Sequence, residues 1–430
     1  MLKTFIRYVS LNITGMLAIA LCILIDTMLI ARAMGADGLT ALSLGVPIYY
    51  VINGIGHMLG VGGGSRYATY RAAGRPEKAN QIFTIALLTG LIFSAISILI
   101  GIFFTNYLAH AFGARGHLFD MVADYIRTIL TLGPALILSN TMAGFIRNDQ
   151  APRIAMVSTV ILAVFNVILD YIFIFPLGLG MLGAALATMI GSTLGLIYLL
   201  WHWRSGKSNL KLSKFEAPVR NFCQLALTGM PTLIGDVAAA MVMTVFNLIL
   251  LNLHGNLGVA VFGIIANLSF VVLSIFNGLG QGMQPLVSIS YGKGDANGQK
   301  LVLKYSLLTV MALTALIYAF TFSFTDVLTG IFNGENDPLL RDMSRYGVRI
   351  YFVGFFFVGI SIVNIIYLSV TSAPKAAFLL SLLRGGVIIV PLVLIFSYLW
   401  GMTGVWISYP VAEFLVMGIG ALVFWRYKKI

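Results

Sequence analysis

The chain has 430 residues, of which 59% are hydrophobic and only 10% are charged. A soluble domain carries about 25% charged residues, so this composition excludes an ordinary soluble protein and predicts a membrane protein embedded in the lipid bilayer. The net charge of +12 does not indicate a nucleic-acid partner, because the basic residues alternate with apolar segments and no basic groove with interleaved aromatic residues is visible.

Twelve apolar segments follow one another, each long enough to cross a bilayer at about 20 residues per helix. The predicted spans are 9–31, 39–65, 80–105, 121–145, 153–176, 180–202, 221–251, 257–289, 301–325, 342–370, 376–399 and 402–425. A polar linker, 204–219, divides them into an N-terminal lobe, 1–203, and a C-terminal lobe, 220–430. The predicted fold is therefore an all-α polytopic membrane protein with two six-helix lobes.

Alternate loops differ in charge, which predicts the orientation of the chain. Lys and Arg are concentrated near both termini and after spans two, four, six, eight and ten, whereas the loop after span nine contains Asp326, Glu335 and Asp337. Basic loops stay on the cytoplasmic side of a membrane. We therefore predict a multi-pass protein of the cell (inner) membrane with both termini in the cytoplasm.

The two halves share a repeated pattern at a nearly constant offset. Glycines recur 220 residues apart, as Gly38 and Gly258, Gly62 and Gly282, and Gly74 and Gly294. Longer matches follow at offsets of 222 and 221, namely Ala151-Pro152-Arg153 with Ala373-Pro374-Lys375 and Gly180–Gly183 with Gly401–Gly404. Six spans per half give both halves the same orientation, so we predict a parallel repeat of two bundles that rock to alternate access.

Four carboxylates lie inside the apolar segments: Asp26, Asp170, Asp236 and Glu413. A charged side chain at the middle of a bilayer costs at least a few kcal/mol, about 3 kcal/mol on insertion scales, and usually has a function. Asn166 lies four residues before Asp170 and therefore shares its helix face. Such buried titratable groups predict transport coupled to a cation.

Five stretches of the chain resemble the multidrug and toxic compound extrusion (MATE) family, and most of all its prokaryotic MepA-like branch. They are Asp26–Ser43, Gly60–Ala68 together with Gly74–Ala79, Phe165–Asp170, Gly183–Thr188 and, as the most specific, Gly280–Gly292. The resemblance covers nearly the whole chain. It implies a secondary active exporter that exchanges cationic amphipathic drugs or dyes for protons or sodium ions, without another cofactor or an obligate protein partner, and as a monomer.

The resemblance also implies a cation-coupling site in the first lobe, at Asp26, Asn166, Asp170 and Thr188. Two carboxylates close together in a low dielectric cannot both ionise cheaply. The pair is therefore expected to hold one proton, or a sodium ion with the amide and hydroxyl oxygens as further ligands. The alternative that the sequence leaves open is a buried polar cluster that only packs the helices.

The second lobe offers candidates for a substrate cavity. Asp236, near the start of span seven, is placed to meet a cationic substrate, although an acid at the membrane interface is an equal alternative. Glu413 follows Pro410 and is expected to be structural. The other predicted cavity residues, each of which could instead form an interhelical hydrogen bond, are Asn267, Gln281, Gln284, Asn364 and Tyr367.

Other functions remain as rivals to drug export. A flippase for lipid-linked oligosaccharides or lipids would need cationic cavity residues, for which Arg127, Arg349 and Arg384 are the candidates. A membrane-embedded transferase would need converging His, Asp and Arg groups near one interface, and the sequence shows none. We therefore expect a transporter rather than an enzyme.

Overall fold

The structure, a computed structural model, describes residues 1–214, 218–330, 338–371 and 373–428. Residues 215–217 of the predicted linker and the predicted acidic loop residues Glu335 and Asp337 lie outside these ranges. Within the described ranges the chain is helical, with turns and short irregular connections and no strand.

Among the described residues, eleven apolar helical stretches are long enough to cross a membrane, and the last of them supplies two crossings. Ten stretches are single crossings: α1 Leu2–Gly35, α2 Asp37–Ala72, α3 Pro76–Phe103, α4 Leu118–Asn148, α5 Pro152–Ile174, α6 Gly180–Arg204, α7 Val219–Gly255, α8 Leu257–Gly292, α9 Ala296–Ser323 and α10 Pro338–Val370.

The last stretch, Pro374–Phe424, has 51 residues, which at 1.5 Å per residue is about 77 Å and more than twice the hydrocarbon thickness. A non-helical backbone at Gly401 divides it into α11, 374–400, and α12, 402–424. Two short helices, Thr105–Ala111 and Thr325–Gly330, connect α3 to α4 and α9 towards α10. The predicted all-α fold with twelve crossings is confirmed.

Glycines in the left-handed region mark the repeat in three dimensions. Since a side chain strains the backbone where φ is positive, equal conformations at equal offsets are informative. The matched φ values are 60° and 59° at Gly35 and Gly255, 72° and 69° at Gly74 and Gly294, and 54° and 57° at Gly180 and Gly401. The predicted parallel repeat is therefore confirmed in the backbone.

Two large hydrophobic clusters form the cores. The first contains buried residues from Ile30 to Leu225, and the second contains buried residues from Phe246 to Ala412. The start of α1 belongs to the second cluster, through Phe5, Tyr8 and Val9. The first helix thus connects the two lobes, and the exact lobe boundaries stay a prediction.

We call the side of the membrane that carries the loops after α2, α4, α6, α8 and α10 the basic face. The lobes pack closely in the half of the membrane nearer this face. An added methyl group on Gly229 of α7 would overlap the carbonyl oxygen of Met58 on α2, and one on Gly282 of α8 would lie 2.7 Å from Cα of Val9 on α1. Glycine at these positions therefore lets the backbones of the two lobes touch.

Candidate functional site

Two carboxyl groups from different helices meet inside the first lobe. Asp26 on α1 and Asp170 on α5 are direct neighbours, and Asp170 is fully buried. Oδ1 of Asp26 and both carboxyl oxygens of Asp170 are buried without a hydrogen-bond donor among the described residues. A buried acceptor that lacks a donor is costly, so a proton on one carboxyl group would provide the donor that the other needs.

A chain of hydrogen bonds surrounds this pair. Asn166, one turn before Asp170, donates from Nδ2 to Oγ1 of Thr188 on α6 at 3.1 Å. Its Oδ1 accepts from Sγ of Cys22 on α1 at 2.6 Å. Thr188 donates in turn to the carbonyl oxygen of Ala184 at 3.1 Å. The structure therefore brings together the four residues predicted for the cation site and adds a cysteine that the prediction did not include.

Small residues allow α6 to approach α5 at this site. An added methyl group on Gly191 would lie 2.8 Å from the carbonyl oxygen of Leu162 and 3.3 Å from the backbone nitrogen of Asn166. One turn further on, Ser158 Oγ donates to the carbonyl oxygen of Gly195 at 3.0 Å. Close contacts of this kind are typical of helix pairs in membranes, and they fix the amide of Asn166 opposite Thr188.

The amide beside the acid pair is already hydrogen-bonded, which bears on the ion that the site could hold. Both polar atoms of the Asn166 amide are already engaged with Cys22 and Thr188. Within the described residues, no group of three or more His, Cys, Asp or Glu side chains could hold a metal ion. A sodium ion would need additional oxygen ligands, whereas a proton needs only the two neighbouring carboxyl groups.

A second polar cluster joins the two lobes near the middle of the membrane. Oδ2 of Asp236 on α7 lies 2.9 Å from Nδ1 of His57 and 3.3 Å from Nδ2 of Asn53, both on α2. Asn140 on α4 donates to Oδ1 of Asn53 at 2.9 Å. About a quarter of the His57 and Asp236 side chains is exposed, 23% and 26% respectively. The cluster is therefore partly accessible at the contact between the lobes.

Sequence reasoning singled out Asp236 but placed it near the start of span seven, whereas it lies near the middle of α7. It also missed the partners of Asp236 on α2. The five histidines are scattered along the sequence, without the spacing of a metal site. The available signal was local: Asn53 and His57 are four residues apart and share one helix face, on either side of Gly54 and Gly56. Only the packing of α2 against α7 shows that this face of α2 contacts the carboxylate of Asp236.

The remaining predicted cavity residues do not form one group. Gln284 is buried and donates to the carbonyl oxygen of Val61 at 2.7 Å, while Gln281 approaches Sδ of Met16 at 3.6 Å. Both thus connect α8 to the first lobe. Asn267 donates to Gly263 O within its own helix at 2.9 Å. Asn364 faces Gly420 of α12.

Tyr367 lies elsewhere, in a groove at the basic face where its hydroxyl is 3.5 Å from Oε1 of Gln299. This places Tyr367 away from the Asp236 cluster, because α10 ends at the basic face while Asp236 lies near the middle of α7. A common cavity for all six predicted residues therefore stays a prediction.

Glu413 is part of a buried ion pair. Nε of Arg384 donates to both of its carboxylate oxygens, at 3.0 and 3.1 Å. The other two arginines considered for an anionic substrate are also engaged: Arg349 lies over the ring of Phe322 at 4.4 Å, and Arg127 reaches Asn106 at 3.5 Å. These three arginines have separate contacts and do not form one cluster for an anionic headgroup.

Comparisons with known proteins identify the family of this chain. A family model described as MatE matches residues 13–172 and 221–395. "Multidrug export protein MepA" of Staphylococcus saprophyticus is 28% identical over 377 residues, which cover 87% of this chain and 82% of the relative. The protein of the same name from Staphylococcus aureus is 25% identical over 381 residues, with coverages of 88% and 83%.

Solved structures show the same fold. A MATE protein crystallised in complex with MaL6 superposes with a TM-score of 0.93 at 21% identity, covering 100% of this chain and 97% of that one. A MOP superfamily transporter from Pyrococcus furiosus superposes with a TM-score of 0.90 at 21% identity, with coverages of 98% and 94%. At these identities the likeness concerns the arrangement of the helices.

Proposed function

The chain belongs to the MatE family, and from this premise we propose that it is a secondary active exporter that antiports organic cations against a proton gradient. The two lobes alternate between openings on the two sides of the membrane. The relatives named as multidrug export proteins support drug export as the transported class. The protein lies in the cell (inner) membrane as a monomer, with the basic face and both termini in the cytoplasm.

The observation that carries this proposal is the carboxyl pair of Asp26 and Asp170. Three of its oxygens are buried without a donor among the residues that the structure describes, so the arrangement is suited to a shared proton. Binding a proton changes the net charge of the first lobe and therefore its preference for one of two conformations. Because α1 packs into both lobes, a change at Asp26 is transmitted to the contact between them.

Sodium is the alternative coupling ion. It would bind the same two carboxylates with oxygen atoms of Asn166 and Thr188. In that mode Oδ1 of Asn166, which already accepts a hydrogen bond from Cys22, would offer its second lone pair to the ion. We favour the proton because it needs no ligand beyond the two neighbouring carboxyl groups.

The organic cation is proposed to meet Asp236. This acid lies between the lobes, is partly exposed and is held by His57 and Asn53. A cationic substrate would compete with His57 for the same carboxylate oxygen. Binding of drug would in this way loosen a contact between α2 and α7.

The test uses the purified protein in liposomes. We would follow ethidium movement under an imposed proton gradient and then under a sodium gradient, for the parent, Asp26→Asn and Asp170→Asn. We expect proton-driven movement in the parent and at least a tenfold loss in both variants. Asp124→Asn, at an exposed position of α4, is the matched control and should transport like the parent.

Other outcomes would overturn parts of the proposal. Transport driven only by sodium would replace the proton as the coupling ion. Full activity of Asp26→Asn and Asp170→Asn would make the pair structural, and Asp236→Asn would then be the next variant to assay. No movement under either gradient would reject drug antiport and favour the flippase reading.

A further inference from the structure

A groove of about 430 Å³ opens at the basic face of the second lobe, far from the acid pair. It lies where α8, α10 and α12 end and α9 begins. Its walls include Lys300 and Lys304 of α9, Tyr367 of α10 and Phe424 of α12. Neither the coupling site nor the Asp236 cluster uses these side chains.

Along α9 the lining changes from charged to apolar with depth. Lys300 and Lys304 lie in the first turns, and Leu307, Leu308 and Met311 follow on the same helix face. From Lys300 to Met311 the helix rises about 16 Å, roughly half of the hydrocarbon thickness. Leu308 and Met311 are 55% and 59% exposed. The groove therefore has a cationic mouth and an apolar wall that faces the lipid.

Among the described residues, the two lysines have no partner of opposite charge. In the described part of the chain, no carboxylate lies within 4.0 Å of either ammonium group. Both side chains are exposed, and the hydroxyl of Tyr367 lies beside the same groove. Two ammonium groups and a phenol at the headgroup level are suited to a phosphate.

The repeat identifies the position in the first lobe that corresponds to this groove, and the structure shows which part of the chain lies there. At the offset of 220, Lys300 and Lys304 correspond to Asn80 and Thr84 of α3. There the linker covers the helix, because the backbone nitrogen of Lys211 lies 3.4 Å from Oδ1 of Asn80 and that of Ser213 donates to Oγ1 of Thr84 at 3.0 Å. In the first lobe the site is thus closed by the chain itself.

The apolar part of the first-lobe site is also filled. Phe83 packs against Phe145 and Trp203 with ring centroids 5.1 and 5.6 Å apart, and Trp203 Nε1 donates to the carbonyl oxygen of the buried Leu210 at 2.8 Å. The counterparts in the second lobe are Leu303, Tyr367 and Phe424, at offsets of 220, 222 and 221. They line the open groove instead of a closed core.

We propose that the groove of the second lobe binds one anionic phospholipid, whose phosphate contacts Lys300 and Lys304 and whose acyl chain lies along Leu307, Leu308 and Met311. The lipid takes the place that the linker takes in the first lobe. The chain's own end is disfavoured as the occupant, because residues after Phe424 include Arg426, Lys428 and Lys429 and would bring like charge to the lysines. This inference does not depend on the proposed antiport.

The experiment is native mass spectrometry of the delipidated full-length protein. We would add phosphatidylglycerol, phosphatidylcholine with the same acyl chains, or glycerol phosphate alone. We expect the parent to retain phosphatidylglycerol several-fold more than phosphatidylcholine. The double variant Lys300→Gln with Lys304→Gln should lose that preference, whereas Lys207→Gln with Lys211→Gln in the linker, which removes the same charge, should keep it.

Lysine acetylation of the parent gives a second readout that needs no variant. Phosphatidylglycerol should protect Lys300 and Lys304 from acetylation and leave Lys207 reactive. Three results would overturn the proposal: equal retention of both lipids, retention of glycerol phosphate as strong as that of phosphatidylglycerol, or protection of both lysines before any lipid is added. The last of these would identify the chain's own end as the occupant.

Discussion

At the scale of single residues, the coupling site depends on a cysteine. Cys22 lies one turn before Asp26 and supplies the hydrogen bond to Oδ1 of Asn166. That bond fixes which way the amide points and therefore leaves its nitrogen for Thr188. A weak donor in a buried place thus positions an amide beside the two acids.

Cys22→Ala should destabilise the protein, because Oδ1 of Asn166 would be buried without a donor. The cost of such an unpaired group is about 1–3 kcal/mol. Cys22→Ser retains a donor and should remain close to the parent. Thermal unfolding in detergent would measure both variants.

The exposed Cys223 provides the control for this comparison. Cys223→Ala should leave the melting temperature unchanged, since it removes no buried contact. If Cys22→Ala and Cys22→Ser have the same melting temperature, the hydrogen bond from Cys22 does not stabilise the protein and Thr188 alone holds the amide.

At the scale of the helices, several crossings are joined without a loop. α1 continues into α2 through Gly35, α7 into α8 through Gly255, and α11 into α12 through Gly401. Each joint contains a glycine with positive φ. The direction of the chain changes at that one residue at Gly35 and Gly401, and over His254 and Gly255 between α7 and α8. The angle between consecutive helices is therefore fixed by a backbone conformation that other residues rarely adopt.

Gly401→Ala should destabilise the joint between α11 and α12, because a Cβ in the left-handed region costs about 1–2 kcal/mol. Gly418→Ala is the matched change within α12. Gly418 has ordinary helical geometry, and an added methyl group there would meet no atom within 4 Å. It should be neutral or stabilising by up to about 1 kcal/mol.

Thermal unfolding of Gly401→Ala and Gly418→Ala would show whether the joint between α11 and α12 requires a glycine. A lower melting temperature for Gly401→Ala alone is the expected result. Equal shifts for both variants would mean that the joint adapts to the side chain, and that the glycine is not required for the turn.

At the scale of the whole molecule, the two lobes touch closely towards the basic face. Gly62 and Gly229 pack backbone to backbone between α2 and α7, and Gln284 connects α8 to Val61. Alternating access requires this contact to open and close. The glycines therefore set how closely the lobes can approach in one of the two states.

Gly229→Ala should hold the lobes apart at the basic face, because the new methyl group would overlap the carbonyl oxygen of Met58. Gly235→Ala on the same helix is the control, since nothing lies within 4 Å of its added methyl group. We expect gradient-driven transport to fall severalfold in the first variant and to remain unchanged in the second.

Spin labels on Lys78→Cys and Lys293→Cys, one in each lobe and both at the basic face, would report the distance directly in a background with Cys22→Ser and Cys223→Ala. Longer distances are expected for Gly229→Ala. A distribution identical to that of Gly235→Ala would show that the contact relaxes without separating the lobes.

The sequence by itself determined the twelve crossings, the parallel repeat and the identity of the membrane acids. Hydropathy and charge can be recognised within a single segment. The repeat can be recognised by comparing the glycine positions of the two halves. Asp26, Asn166, Asp170 and Thr188 could be grouped from the sequence only through a family resemblance.

Tertiary structure alone decided which helix faces meet. It brought Cys22 into contact with Asn166, His57 with Asp236 and Arg384 with Glu413. It also placed Tyr367 in a groove at the basic face. Side-chain partners from distant parts of the chain leave no periodic signal, because each depends on the crossing of two helices. The physical reason is that a bilayer specifies where helices begin and end, whereas packing between them specifies their contacts.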